Sequence, residues 1–271
     1  MKLCSIPVLS ACALAAVLLA GCSGGSSGAF QGYIEGEYVY VAAPLGGALT
    51  NLAVSRGDSV TNGQLLFELE RGSEAAALDV AKKNLTQAKA GLELSESTYV
   101  RQKQLRDGGA GVISAEELDQ ARAKRDTDAA MVESQRGALD KAQWSCDQKQ
   151  QFAPADAQVH DTLYRQGEWV AAGNPVVVLL PPANFKVRFF TPQEMLPRIK
   201  TGENVSVTFD GSAKTYSATV NYISTQAEFT PPVLYNRENR AKLIFMIEAK
   251  FSPVDASDLR PGQPVDVKIS P

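Results

Sequence analysis

This chain of 271 residues contains an internal repeat whose copies lie 110 residues apart. Laying residues 43–69 over 153–179 without a gap makes six of the 27 positions identical, including the glycine pairs 57/167 and 63/173. Glycine permits the positive φ of tight turns, and alternating apolar residues are typical of strands. Each copy is therefore predicted to form three strands, in the first copy 38–42, 49–55 and 65–69. The two copies are expected to pack as a pseudo-symmetric β-sandwich.

About eighty residues separate the copies, and they carry a helical pattern. Apolar or aromatic residues recur every seven positions, with small residues three further on; the two series are Leu78, Leu85, Leu92, Tyr99 and Ala81, Ala88, Ser95. This heptad pattern predicts a long helix over 73–106, packed closely against a partner helix. Glycines at 108, 109 and 111 end it.

A second helix is predicted to begin at Ser114, because Ser114 and Glu117 have the spacing of a capping box. It is expected to run to about residue 150, with Leu118, Ala121, Val132, Leu139 and Ala142 facing inward. Arg125 and Asp128 occupy heptad positions that suit apolar residues, so this half of the seam is imperfect. The insertion is thus an antiparallel helical hairpin.

From residue 185 onward the pattern changes to alternating apolar and polar residues, which predicts strands. Five strands are expected, at 186–191, 204–209, 215–223, 242–251 and 265–269. Residues 193–199 form one short helix between Pro192 and the second of these strands. Several strands with one short helix fit a small β-barrel. The expected fold class is α+β and mainly β.

The first residues resemble a bacterial lipoprotein signal. Lys2 precedes an apolar run over 6–20, and Leu19-Ala20-Gly21-Cys22 matches a lipobox, where cleavage precedes a cysteine that is then diacylated. We expect a signal peptide at 1–21, a lipid on Cys22 and a flexible Ser/Gly tether over 22–29. The alternative is an ordinary signal peptide, cut after a small residue near an incidental cysteine.

Composition excludes several classes of function. The net charge of −3 gives no basic excess for nucleic-acid binding, and a single histidine, His160, excludes three-His zinc sites and two-His metalloprotease helices. No catalytic or metal site is expected. Cys146 is predicted to be a small buried hydrophobic residue, and Trp144 and Trp169 to be packing residues.

The repeat also carries a family resemblance. Ala-Pro-x-x-Gly at 43–47, followed by Gly-Asp-x-Val-x-x-Gly-Gln-x-Leu-Phe at 57–67, is similar to half of a biotinyl/lipoyl domain. Two such halves around a helical insertion resemble the HlyD-like membrane fusion proteins, the periplasmic adaptors of export pumps. This implies half-domains at 30–72 and 152–182, a hairpin at 73–151 and a barrel at 183–271. No Asp-Lys or Met-Lys turn stands between the halves, so no covalent cofactor is expected.

The resemblance implies partners. Adaptor hairpin tips meet a TolC-like outer-membrane channel through an Arg, a Leu four residues later and a Ser seven after that. Arg101 and Leu105 match, whereas Ser114 lies two residues late. With Val112 and Ile113 these residues are the expected contact, and a capped turn without a partner is the alternative. The segment 227–237 is similar to adaptors paired with ABC transporters. Self-association into a ring is also implied.

Three functions follow as hypotheses. The first is a non-catalytic, lipid-anchored periplasmic adaptor between an inner-membrane transporter, favoured as ABC type, and the channel. The second, a biotin or lipoate carrier, lacks a modifiable lysine turn and a cytoplasmic address. The third is a free-standing envelope lipoprotein that binds or bridges without a pump. Ser23 favours outer-membrane sorting, but the adaptor resemblance favours the inner membrane.

Overall fold

The computed structural model describes residues 29–109, 113–209, 211, 214–228, 243–254 and 256–269. The chain divides into two compact units. One contains Glu37–Asn184, and the other contains the segment that ends at Gly36 together with everything from Phe185 onward. Each unit is described by itself.

The first unit contains the sequence repeat as eight strands. The first copy forms β2 Val39–Ala42, β3 Gly47–Leu52, β4 Ser59–Val60 and β5 Leu65–Leu69. The second copy forms β6 Gln150–Phe152, β7 Ala157–Thr162, β8 Trp169–Val170 and β9 Pro175–Leu180. Strand β7 begins and ends 110 residues after β3, and β8 begins and ends 110 residues after β4, so the two copies have the same arrangement of strands.

The two copies interlock. One sheet has the order β2-β9-β7-β4 and the other the order β6-β5-β3-β8, so each sheet takes two strands from each copy. The sandwich between them is filled by apolar residues of both copies, including Leu49, Leu66, Phe67, Val159 and Leu179. The predicted pseudo-symmetric sandwich is confirmed, but each layer is shared between the copies, so neither copy can bury its apolar residues alone.

The repeated glycines explain how the copies connect. Gly57 and Gly167 both have φ 94°, a conformation that other residues rarely adopt. The Gly57 amide donates to the carbonyl of Val159 at 2.8 Å, and the Gly167 amide donates to the carbonyl of Leu49 at 2.8 Å. Each turn therefore hydrogen-bonds the opposite copy, which is the structural reason for the repeat.

The insertion is the predicted hairpin of two helices, α1 Gly72–Asp107 and α2 Ala115–Asp147. At about 1.5 Å per residue each is roughly 50 Å long. Helix α2 ends before the predicted residue 150, because Gln150 already pairs with Glu68 of β5. The expected inward residues of α1 form the seam, with Ala81, Leu85 and Ser95 buried.

The second unit is a closed six-stranded barrel. Its strands are β1 Ala29–Gly36, β10 Phe185–Pro192, β11 Asn204–Thr208, β12 Tyr216–Glu228, β13 Ile244–Phe251 and β14 Pro264–Ile269. They follow the order β1-β10-β13-β12-β11-β14. Between β10 and β11 the predicted helix is only a 3₁₀ turn, Leu196–Arg198.

Strand β1 differs from the sequence prediction, in which the tether ended at residue 29 and the first lipoyl-like half began at residue 30. Strand β1 pairs with β10 on one side and β14 on the other. Its residues Phe30 and Ile34 are buried in the barrel. Without β1 the strands β10 and β14 would each present an unpaired edge, so the segment before Glu37 completes the barrel and not the sandwich.

Candidate partner-binding hairpin

At the far end of the hairpin, Arg101 and Leu105 lie one turn apart on the same side of α1, and both are exposed. Leu105 is 44% exposed, although Leu94 of the same helix is more exposed, at 68%. The seam residue Gln102 has a buried amide oxygen without a hydrogen-bond partner in the described part of the chain. The end of α1 thus presents a charged and an apolar side chain together.

Ser114 caps α2. Its Oγ accepts a hydrogen bond from the Glu117 amide at 3.1 Å, and its own amide donates to Glu117 Oε2 at 2.8 Å. This is the predicted capping box. The Ser114 amide and hydroxyl, by hydrogen bonding, lower the pKa of the Glu117 carboxyl. The hydroxyl is therefore engaged in starting the helix, which favours the capped-turn interpretation for this residue.

The predicted tip residues separate into three groups. Arg101 and Leu105 share one side of α1, and Ser114 is in the cap. Ile113 is half-buried beside it, whereas Val112 lies outside the described residues, as does Cys22.

The imperfect part of the seam is a polar layer. The Arg125 guanidinium lies over the Tyr99 ring, 4.6 Å from its centroid, a favourable cation–π arrangement. Asp128 pairs with Lys124, and hydrogen bonds from Lys124 and Ser95 lower the pKa of Asp128. The two charged residues that the heptad pattern did not explain are thus held by specific contacts inside the hairpin.

At the root of the hairpin, Lys149 is buried, with only 4% of its surface exposed. Its Nζ lies 3.0 Å from Glu74 Oε1 and donates to the carbonyl of Gly46 at 2.6 Å. A Cβ on Gly47 would lie 3.2 Å from this Nζ, whereas the second copy has Ala157 at the corresponding position. Lys149 therefore ties both helices to the sandwich, through a contact that sequence analysis missed.

The Glu74 carboxyl responds to this contact. Burial raises the pKa of Glu74, but hydrogen bonds from Lys149 and Ser73 outweigh burial, and the net shift is downward. The carboxylate is therefore ionised and paired at neutral pH. No pattern in the sequence marked Lys149, because its burial depends on a turn one hundred residues earlier in the chain.

The barrel carries a second charged group that sequence analysis missed. Arg188 Nη2 lies 2.8 Å from both Glu35 Oε2 and Glu248 Oε1, while Lys186 Nζ donates to Glu248 Oε2 at 2.9 Å. Arg188 Nη1 also donates to the Tyr33 hydroxyl at 3.3 Å. The residues lie on the neighbouring strands β1, β10 and β13, so the network joins three barrel strands.

Burial disfavours the charged forms of Glu248 and Arg188, but their hydrogen bonds to each other and to their neighbours outweigh this effect of burial. Burial raises the pKa of Glu248, but hydrogen bonds from Arg188 and Lys186 lower it by more than burial raises it, so the net shift is downward. Burial lowers the pKa of Arg188, and its bonds to Glu248 and Tyr33 produce a net rise. The only sequence signal was the presence of two cations in an otherwise apolar strand.

The described residues contain no cluster of three or more metal-ligating side chains. Within the same residues, no helix is long and apolar enough to cross a membrane. Cys146 is buried and free, as predicted. The prediction that both tryptophans are packing residues is wrong. Trp144 is 52% and Trp169 71% exposed, so neither is a core residue.

The chain is similar to several known proteins. Residues 77–149 match the family model "RND MFP, alpha-helical hairpin domain". A "UPF0194 membrane protein" of Citrobacter koseri is 26% identical, with 100% of this chain and 98% of that protein covered. The membrane fusion protein Spr0693 from Streptococcus pneumoniae R6 is a structural neighbour, with TM-score 0.64, 20% identity and 90% and 99% coverage. MacA from Actinobacillus actinomycetemcomitans has TM-score 0.60, 19% identity and 89% and 78% coverage.

The matched residues 77–149 cover most of both helices and the buried Lys149 at their root. The two structural neighbours align with 90% and 89% of the chain, so the likeness in fold extends beyond the hairpin. Hairpin and fold agree: residues 77–149 match the alpha-helical hairpin domain of the RND membrane fusion proteins, and the chain has the fold of solved membrane fusion proteins.

Proposed function

We propose that this chain is the lipid-anchored adaptor of an export pump and links an inner-membrane transporter to a TolC-like outer-membrane channel. The observation that carries the proposal is the hairpin, two helices of 36 and 33 residues that extend from a split sandwich. A hairpin of roughly 50 Å is far longer than the sandwich needs for its own packing. Its length suits a reach across the periplasm.

The proposed mechanism is mechanical coupling, with no bond-making step. Lys149 and Glu74 fix the root of the hairpin to the sandwich, and the cation–π contact of Arg125 with Tyr99 stiffens its middle. A movement imposed on the sandwich would therefore be carried along the hairpin. This function needs no catalytic residue.

The channel contact is proposed for the tip. Arg101 and Leu105 supply an exposed cation and an exposed apolar side chain on one side of α1, and Ile113 follows across the turn. The outer-membrane channel is expected to cover Leu105. Ser114 contributes by ordering the first turn of α2 and not by touching the partner.

The transporter is proposed to be of the ABC type, because segment 227–237 is similar to adaptors that serve such transporters. The family model that matches the hairpin carries the RND name. The hairpin, however, faces the channel in this proposal, and the transporter would meet the β-rich part of the chain. Recovery of an RND transporter would correct the class and leave the adaptor function in place.

The anchor is proposed to be a diacylglyceryl group on Cys22, in the inner membrane. Several acyl chains hold a protein to a membrane far more firmly than one. Mass spectrometry of the amino-terminal peptide tests this directly. We expect a diacylated cysteine at the first position of the mature chain. An unmodified amino terminus at another residue would establish the ordinary signal peptide.

Photo-crosslinking in cells tests the partners. A photoreactive amino acid replaces Leu105 at the tip in one strain and Tyr222, 45% exposed on the barrel, in another. We expect an outer-membrane channel from position 105 and an inner-membrane transporter from position 222. Capture of a non-transport envelope protein, or of none, at both sites would establish the free-standing lipoprotein instead.

A further inference from the structure

Near its root the hairpin presents a protruding aromatic residue and a groove at the same height. Trp144 of α2 is 52% exposed. The groove has a volume of about 460 Å³. Small and apolar residues dominate its lining, joined by a single cation; among them are Leu45, Ser73, Ala77, Ala138, Lys141 and Ala142.

Trp144 cannot fill the groove of its own chain. The α2 residues that line it, at 138, 141, 142 and 145, share one side of the helix. At roughly 100° per residue, position 144 points about 110° away from the centre of that side. The indole and the groove are therefore available to a second molecule at the same time, on different sides of one hairpin.

The side of α2 that bears Trp144 is acidic with a regular spacing. Every seventh residue along the whole helix is acidic and exposed; the five are Asp119, Asp126, Glu133, Asp140 and Asp147. The contact with α1 explains heptad spacing at the seam but not on an outward row. In coiled coils, charged residues repeated every seven positions beside a seam form salt bridges to a neighbouring helix. In this row Asp126 and Glu133 pair with arginines of α2 itself, which leaves the acids near Trp144 for such a contact.

The groove carries the complementary charge. Lys141 lines it and makes no ion pair with any residue that the structure describes. Glu74, the acidic residue of the lining, is already bound to Lys149. On the other side, Asp140 and Asp147 flank Trp144, and among the described residues neither has a cationic partner; Asp147 accepts a hydrogen bond from Gln143. Both surfaces thus hold charges that the single chain leaves unpaired.

We propose that Trp144 of one copy inserts into this groove of a second copy, with Asp140 and Asp147 beside the second copy's Lys141. The two surfaces differ, so the contact is heterologous and repeats from copy to copy until a ring closes. Because Trp144 and the groove lie at the same height along the hairpin, neighbouring hairpins stand side by side in parallel. The inference rests on the proposed adaptor function and on the ring that the family resemblance implies, and it names the surface that forms this ring.

The first test is photo-crosslinking from position 144 in the full chain, expressed in the cell envelope. p-Benzoylphenylalanine replaces Trp144, and we expect a product of twice the chain mass whose linked peptides fall in 73–77 or 138–145. The matched control places the same group at Trp169, which is 71% exposed on the sandwich, and yields no such peptides. No product from position 144, or linkage to other segments, would overturn the interface.

A charge-reversal pair tests the same contact without relying on the indole. Lys141→Glu should lower the yield of cross-linked product roughly tenfold, since a like charge then faces the acidic row. Adding Asp140→Lys and Asp147→Lys to Lys141→Glu should restore it. An unchanged yield in the single variant, or no recovery in the triple variant, counts against the proposal.

The partner experiment at positions 105 and 222 separates the two levels of inference. If those positions capture a channel and a transporter while position 144 captures no second copy, the groove is not the ring interface and the adaptor function stands. If position 144 captures a second copy through the groove while positions 105 and 222 capture no transport protein, self-association stands and the adaptor function falls. Failure at all three positions removes both.

Discussion

Lys149 Nζ and Glu74 Oε1 lie 3.0 Å apart at the root of the hairpin, where the lysine is buried. The pair joins the end of one helix to the start of the other, and the bond from Lys149 to the Gly46 carbonyl adds the sandwich. Three separate segments thus meet at one ammonium group.

Removing the ammonium group should destabilise the chain. Lys149→Met leaves the Glu74 carboxylate and the Gly46 carbonyl without their partner, and we expect a loss of about 2–4 kcal/mol in the free energy of unfolding. Urea unfolding followed by far-ultraviolet circular dichroism measures it. The control is Lys89→Met at an exposed position on α1, expected within about 0.5 kcal/mol of the natural chain. Equal effects of the two variants would show that the buried pair does not hold the root.

The same pair should make stability depend on pH. The folded pKa of Glu74 is lower than the unfolded value of 4.5, so its contribution is complete above that value and is lost as pH falls through the folded pKa. The natural chain should therefore exceed Glu74→Gln in unfolding free energy near pH 7, and the difference should shrink toward about pH 3. Urea titrations of both chains across this range measure it. A difference that is constant with pH would contradict the pairing.

The barrel network gives a further prediction. Glu248→Gln removes a carboxylate that both Arg188 and Lys186 bind, and we expect a loss of about 1–3 kcal/mol in the free energy of unfolding. Calorimetric unfolding of the full chain should show the transition of the barrel at lower temperature. Glu194→Gln, at an exposed position between β10 and β11, is the matched control and should leave it unchanged.

The repeat predicts that replacing either of two equivalent glycines lowers the free energy of unfolding by the same amount. Gly57→Ala and Gly167→Ala each place a Cβ at φ 94°, with an expected loss of about 1–2 kcal/mol apiece. Gly137→Ala on α2 should have the opposite sign and stabilise by about 0.5–1 kcal/mol, because alanine is the better helix former and its Cβ meets no atom within 4 Å. Denaturant midpoints of the three variants check this. Unequal losses at 57 and 167 would contradict the structural equivalence of the copies.

Ser114 distinguishes a helix cap from a partner contact. Ser114→Ala should cost about 1 kcal/mol, whereas Ser114→Asp keeps an N-cap acceptor and should be nearly neutral. If the residue acts as a cap, Ser114→Asp also preserves cross-linking of the channel from position 105. Loss of that cross-link in Ser114→Asp, with stability retained, would instead assign Ser114 to the contact itself.

The parts of the fold that sequence predicted are those with local chemistry. The turn glycines at 57 and 167, the capping box at Ser114 and the seven-residue spacing of Leu78 and Leu85 each act over a few neighbouring residues. The interlocking of the copies needed one further fact, that each turn bonds the opposite copy. That pairing is set in three dimensions and leaves no mark in either copy alone.

The parts that sequence missed depend on distant neighbours. Strand β1 pairs with residues more than 140 positions later in the chain, so its alternation predicts a strand but not its sheet. Lys149 looks like any helix-terminal lysine until the Gly46 carbonyl is placed beside it. Trp144 is apolar enough to suggest a core residue, and only the direction of its side of α2 shows that the core is elsewhere.

We propose that the hairpin tip binds a channel and that the barrel binds a transporter. Affinity purification of the tagged full chain from cross-linked envelopes tests it, with the double variant Leu105→Asp and Ile113→Asp alongside. We predict that the natural chain recovers both partners and that the variant loses the channel at least roughly tenfold while keeping the transporter. Equal recovery of the channel by both chains would show that the tip does not bind it, and recovery of neither partner by the natural chain would rule out the adaptor function.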